Sequence, residues 1–420
     1  VEKPLFNRYR SRTFYGRDTN DLSCLNEPAT FDREGKIQFK ERTIDGRRVR
    51  QEGYVLIKPY WAPNTEVKVC ALDAQAQLEV TVGEKQHSCG SHEGRTNYAC
   101  GCGPNLRWCQ SYYFKTQRTI LRAMGEQVLM LAQDLIANNK PYAEILTSKF
   151  VRINGPLAHF WRYQTRTVRE IRLYANGRES YPEIPFSDDK TWKSVERPQL
   201  YSGILTMPAF LLKFATNRSR ANRFYEAFLC KSFDAPPGGL PPGQDTCHEE
   251  PNLMKRCGCR YCHSALEPAA SHWGRFVQGG LQTLETKGYP AFLQKCTDRR
   301  NRHKQPCRSF YITSIDHPDK ARYLGYLKSY LFTDDQMSKN IESGPRALAQ
   351  KVIKNGAFAR CTAQKVWKWF VGYPKPKSAR LDALGKSFQS SQFRILSLLK
   401  SIVTSPEYKQ ASFYRTGGQR

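Results

Sequence analysis

Cys259-Arg260-Tyr261-Cys262-His263 is the stretch of this chain whose residue types and spacing most directly prescribe a chemistry. Two thiols three residues apart, followed at once by an imidazole, form the attachment signature of a c-type haem. Each sulfur forms a thioether to a porphyrin vinyl group, and His263 ligates the iron from the proximal side. A chain with 14 cysteines and 8 histidines in 420 residues would contain this pattern by chance roughly 0.01 times. The cofactor expected is therefore one covalent haem c. Two other uses of the same residues compete with it. Cys247, His248, Cys257, Cys259, Cys262 and His263 could supply a tetrahedral zinc site, or the cysteines could all be disulfides with His263 incidental. The contiguous order is required only by haem. Cys257 lies outside the pentapeptide and is expected to pair, with nearby Cys247 as its partner.

The sixth iron ligand decides between electron transfer and ligand chemistry. A distal Met or His gives a closed, low-spin site, whereas an open position admits peroxide or oxygen. Among the five methionines, Met207 is the first choice. It precedes a proline in an irregular turn and is less committed to a helical core than Met124 or Met130. His272, His303 and His317 are the alternatives, followed by Met254 and Met337. No second CxxCH occurs, which disfavours a two-haem peroxidase within this chain. No Gly-x-Ser-x-Gly elbow, His-Glu-x-x-His or phosphate loop is present either. Asp188-Asp189 and Asp334-Asp335 read as caps or solvated turns rather than catalytic acids.

The elements that must position these residues form an α+β chain, with an N-terminal disulfide-rich β-domain followed by a mainly α-helical body that contains the haem segment. Tyr54-Val55-Leu56-Ile57, Glu66 to Cys70 and Leu78 to Val82 read as strands between turn signals. Ile120, Leu121, Met124, Val128, Leu129, Leu131 and Leu135 mark an amphipathic helix ending near Asn138-Asn139, with a short helix over Tyr142 to Leu146. Alternation around Val168 to Tyr174 allows a hairpin. A helix-like run then leads to Cys230, and the Pro236-Pro237 to Gly243 loop delivers the chain to the haem motif. Helices are predicted over Ala321 to Phe332, Gly344 to Asn355, Ala357 to Val371 and Leu381 to Val403, the last interrupted at Ser387 to Ser391. Four segments follow: a β-domain to residue 110, a helical domain with the possible hairpin over 111–200, a haem-binding domain over 201–310 and a C-terminal helical domain over 311–420.

Several motifs carry a resemblance. Gly203-Ile204-Leu205-Thr206-Met207-Pro208-Ala209-Phe210-Leu211, Phe228-Leu229-Cys230, the Pro-rich loop and Cys259-x-x-Cys262-His263-x-x-Leu266-Glu267-Pro268 resemble the cytochrome c-like domain of large secreted planctomycete and myxobacterial proteins of unassigned function. Phe358-Ala359-Arg360-Cys361-Thr362-Ala363-Gln364-Lys365-Val366-Trp367, Phe393 to Leu399 and Ile402-Val403-Thr404-Ser405-Pro406 are similar to that family's C-terminal helical domain. Pro141 to Thr147 with Asn154-Gly155-Pro156-Leu157-Ala158 resembles its upstream domain. The resemblance spans about residues 112 to 410. It implies a haem-bearing secreted protein, although Glu267 to Phe276 departs from the Asp-Pro, Gly-Phe and Glu-Asn-Phe-Asp sequence usual after that motif.

Composition sets the compartment and the partners. Fourteen cysteines less the two of the motif leave twelve, enough for six disulfides. Cys296 with Cys307, and a cluster among Cys89, Cys100, Cys102 and Cys109, are the pairings that proximity favours. Disulfides and haem c both point to the periplasm or the cell exterior. The chain begins at Val1 rather than Met, as expected once a leader has been removed. No apolar run is long enough to span a bilayer. A net charge of +28, spread along the sequence with dense spots at 47–50, 299–304 and 375–380, falls in no nucleic-acid module. It suits an acidic redox partner protein or anionic cell-surface polymers. The expected function is a monohaem electron carrier. A peroxidase-like haem enzyme with an open distal site, or a haem-stapled component of a larger surface assembly, stands beside it.

Overall fold

A computed structural model describes residues 24–89, 97–111, 115–165, 181–198, 200–233, 246–314, 318–329, 332–372 and 376–417. The fold is α+β with short two-stranded sheets. In chain order the strands are β1 (Lys40–Ile44), β2 (Arg47–Gln51), β3 (Tyr54–Ile57), β4 (Val67–Cys70), β5 (Glu79–Val82), β6 (Lys85–Ser88), β7 (Phe150–Ile153) and β8 (Lys193–Glu196). The helices are α1 (Lys115–Ala137), α2 (Glu144–Thr147), α3 (Gly155–His159), α4 (Pro208–Lys213), α5 (Asn217–Phe224), α6 (Arg260–Ser271), α7 (Cys307–Phe310), α8 (Asp335–Lys354), α9 (Ala357–Phe370), α10 (Ser378–Ser390), α11 (Ile395–Val403) and α12 (Pro406–Gly417).

The chain forms two compact units, one made of residues 1–126 and 152–194, the other of 127–151 and 195–420. In the first unit β1 pairs with β2, β3 with β4 and β5 with β6, each antiparallel. Two-stranded hairpins are marginal alone; here Cys24–Cys70 anchors the end of β4, Cys89–Cys100 anchors the end of β6, and the turn closed by Cys102–Cys109 packs against Val69 of β4. The Tyr60 ring stacks on His159 at 3.7 Å. His159 Nε2 donates to the Arg107 carbonyl at 2.9 Å, and Gln164 Nε2 donates to Cys109 O at 2.8 Å. The turn after α3 is thereby bound into the disulfide-rich region. The hairpin expected around Val168 to Tyr174 lies outside the described residues.

The second unit is mainly helical. α6 lies against α5 and α8, and Cys230–Cys361, Cys247–Cys257 and Cys296–Cys307 cross-link the unit. Asp334 caps α8 by accepting from Met337 N at 2.7 Å, the role read for it from sequence. α8 begins nine residues before the predicted Gly344 and runs through Gly344-Pro345, bending where Gly344 takes φ +67°. That conformation suits glycine and leaves Pro345 as the first residue of a restarted helix. α10 and α11 separate just beyond the predicted interruption, where Gln392 and Phe393 both have positive φ.

The helix expected over Ala321 to Phe332 does not form. Residues 318–323 make a 3₁₀ turn, Gly325 takes φ +83°, and Tyr326 and Leu327 bridge to Phe292 and Tyr311. A β-bridge partner distant in sequence here overrides a local helical pattern. Leu327 and Tyr311 then join Leu284, Cys296, Cys307 and Ile341 in one core cluster.

Candidate haem-attachment site

The motif occupies the first turn of α6. Cys259 stands at the N-cap position, so Cys262 and His263 follow at i+3 and i+4, the spacing that puts side chains on one helix face. The start of α6 is half-buried or exposed, whereas Glu267 and Ala269 to Ser271 are buried. The reactive end therefore meets solvent while the other end is anchored. Pro268 inside the helix has no backbone N–H to donate, and its carbonyl accepts from Ser271 Oγ at 2.6 Å and from Asn340 Nδ2 of α8 at 2.9 Å.

A short cross-linked loop feeds this turn. Cys247–Cys257 closes it, and inside it Asn252 Oδ1 accepts from Met254 N while its carbonyl accepts from Lys255 N and Arg256 N. The pairing of Cys247 with Cys257, expected from proximity, is present. So are Cys296–Cys307 and the pairing of Cys89, Cys100, Cys102 and Cys109 among themselves.

Twelve of the fourteen cysteines are used by six disulfides, and Cys259 and Cys262 are the two left free. His263 Nδ1 donates to Glu267 Oε1 at 2.7 Å, one helical turn on, and Arg218 Nε of α5 donates to the same oxygen at 2.6 Å. The carboxylate is 2% exposed and the imidazole 21%. With the proton fixed on Nδ1, the Nε2 lone pair is the one free for a metal.

These residues fit a haem. Two unpaired thiols stand at the required spacing, and the imidazole beside them is held in the ligating tautomer. His248 Nε2, next to the closing disulfide, is a buried ring nitrogen with no hydrogen-bond partner. The competing uses lose ground. Cys247 and Cys257 are disulfide-bonded and withdrawn from zinc. Among the described residues no group of three His, Cys, Asp or Glu side chains could hold a metal ion by itself. The reading in which every cysteine is a disulfide also fails at Cys259 and Cys262.

No family model, curated protein or solved structure matches this chain.

The candidate sixth ligands separate by position. Met207 is fully buried and precedes α4; the turn before it is held by Trp273 Nε1 donating to Leu205 O at 3.0 Å. His272 is buried and donates from Nδ1 to Gly344 O at 2.8 Å. It lies nine residues beyond His263 at the end of the same helix, about 13.5 Å along the axis and on the opposite face. From there it could not share a metal ion with His263 Nε2. His303 is exposed in the basic loop, and its Nε2 accepts from Arg302 Nε at 2.8 Å. His317 lies outside the described residues. Met337 is fully buried in α8, and Met254 is half-buried in the loop closed by Cys247–Cys257. The sequence offers His248 only as a zinc ligand, not as a sixth ligand to iron, and gives no sign of the tie of Arg218 to the carboxylate beside His263. The i, i+4 spacing of His263 and Glu267 was the signal available for their contact; Arg218, 49 residues away, gave none.

An open cleft of about 530 Å³ lies among Ala291, Tyr326, Leu327, Ser338 and Ile341. None of the predicted site residues lines it.

Proposed function

We propose that this chain is a monohaem c-type cytochrome of the periplasm or cell exterior that carries electrons through one covalently attached haem. The single observation that carries the reading is the cysteine count: folding consumes every cysteine except the two in Cys259-x-x-Cys262-His263. A chain this rich in disulfides belongs to an oxidising compartment, where two unpaired neighbouring thiols call for another use. In this reading Cys259 and Cys262 would hold the haem through one thioether each. His263 Nε2 would hold the iron, with Glu267 keeping the ring proton on Nδ1. The haem supplies the one-electron change between ferric and ferrous iron. The chain supplies attachment, orientation and a basic surface toward an acidic partner protein. The resemblance of these motifs to secreted cytochrome c-like proteins agrees with the reading.

Met207 and His248 are the two side chains this reading offers for the sixth position. Met207 carries the sequence argument, and His248 carries the unpartnered buried nitrogen.

The test is a pyridine haemochrome assay after acid-acetone extraction, followed by ferric and ferrous spectra with and without carbon monoxide. Haem retained by the chain, with a low-spin spectrum insensitive to carbon monoxide, is the expected result. A high-spin haem that binds carbon monoxide would move the peroxidase-like reading ahead, and absence of covalent haem would overturn both. Met207→Ala and His248→Ala then identify the sixth ligand, because only loss of the true ligand converts the spectrum to high spin.

A further inference from the structure

His263 has two ring nitrogens, and the one turned away from any iron makes the most informative contact in the second unit. Nδ1 meets Glu267 Oε1 at 2.7 Å, and Arg218 Nε reaches that same oxygen at 2.6 Å. A neutral backbone carbonyl would fix the tautomer of His263 equally well. An ionised carboxylate does more. It draws on the Nδ1 proton, gives the ring imidazolate character and makes Nε2 a stronger donor to a metal. A stronger, more anionic donor favours the more highly charged ferric iron over ferrous.

The surroundings fit a tuned charge better than a packing accident. Glu267 is the only acidic residue of α6, and its carboxylate is buried, where an isolated ion is costly. Arg218 supplies the opposite charge and aims one oxygen at His263. The other oxygen, Oε2, is buried with no hydrogen-bond partner. A group serving stability alone would gain by using both oxygens or by being apolar.

Resting on the haem reading above, we infer that Glu267 is a positioning residue that gives His263 histidinate character and holds the haem at a low reduction potential, with Arg218 orienting the carboxylate. The ferrous protein is then a strong reductant, suited to passing its electron to a partner and returning to the ferric state.

The experiment compares wild-type protein, exported with haem attachment, with Glu267→Gln and Glu267→Asp. Haem content is measured first by pyridine haemochrome, then spin state by absorption, then potential by redox titration. Glu267→Gln keeps size and an accepting oxygen but not the charge. It should raise the reduction equilibrium constant about tenfold, equivalent to 59 mV for a one-electron couple, with spin state unchanged. Glu267→Asp keeps the charge but withdraws it by one methylene and should fall between. An unchanged potential in a fully haem-loaded Glu267→Gln protein overturns the inference and leaves the haem reading standing. Wild-type protein without covalent haem overturns the haem reading itself. If Glu267→Gln retains no haem, Glu267→Asp decides alone: a raised potential supports the inference, and a wild-type potential overturns it.

Discussion

His272 and His263 stand on one helix and illustrate what a histidine does in opposite surroundings. His263 lies at the half-exposed end of α6, with Nε2 free for a metal. His272 is sealed at the other end, 7% exposed, donating to the Gly344 carbonyl. Burial pushes its pKa down to about 4; the bond to Gly344 opposes the shift and the positive charge of Lys351 adds to it. The folded ring therefore binds a proton less readily than the unfolded one, whose pKa is about 6.5. Between those values the unfolded chain holds more protons, so stability falls as pH falls. The contribution is complete above about pH 6.5 and lost by about pH 4, and amounts to ~3 kcal/mol. His159 in the first unit, pushed down to about 3 by burial, acts in the same direction there. Carboxylates titrate in the same window, so the contribution of His272 is isolated by comparison with a variant. His272→Gln keeps a donor for Gly344, and its melting temperature should fall less steeply than the wild type's between pH 6.5 and 4. Parallel slopes would show that His272 is not the group responsible.

At the scale of elements, α6 is held from several sides. α5 and α8 lie along it, and Arg220 of α5, fully buried, donates to the carbonyls of Phe214, Leu211, Phe276 and Val277 and to Asn217 Oδ1. Cys230, at the left-handed residue that ends the turn after α5, is bonded to Cys361 of α9 across 131 residues. That cross-link encloses the Cys259-x-x-Cys262-His263 segment and all of α6 in one loop. Long loops gain most from closure, and one of this length contributes ~4–5 kcal/mol. The Cys230→Ser/Cys361→Ser double variant should therefore lower the stability of the second unit by about 4 kcal/mol in denaturant titration. The Cys247→Ser/Cys257→Ser pair, closing only ten residues, should cost less. An equal loss from both would show that local strain rather than loop closure governs the effect. Much at this scale was legible in the sequence: β3, β4, β5, α1, α2, α9 and the break between α10 and α11 follow from alternation, periodicity and turn residues. What was not legible depends on distant partners. Nothing near Tyr326 announces Phe292, nothing near His159 announces Arg107, and nothing near Glu267 announces Arg218.

For the molecule as a whole, cysteine chemistry and charge point to the same surroundings. Basic side chains are exposed at Arg299, Arg300, Arg302 and Lys304, on a loop that Cys296–Cys307 closes; Asp298 pairs with Arg300 at 2.7 Å. Exposed positive charge of this density favours fast, salt-dependent encounter with anionic molecules. No helix among the described residues is long and apolar enough to cross a membrane. Disulfides on this scale form outside a reducing cytoplasm, which makes the redox state of the whole chain a direct test of the proposed cofactor. Six disulfides hold twelve cysteines, so denatured but unreduced protein exported without haem should present the two free thiols of Cys259 and Cys262. Protein exported with haem attachment should present none, since both sulfurs become thioethers. Protein made in a reducing compartment should present up to fourteen. A thiol count on the three preparations separates these states without any assay of electron transfer. If exported, haem-free protein also counts zero, Cys259 and Cys262 have bonded to each other, and the attachment site is a seventh disulfide instead.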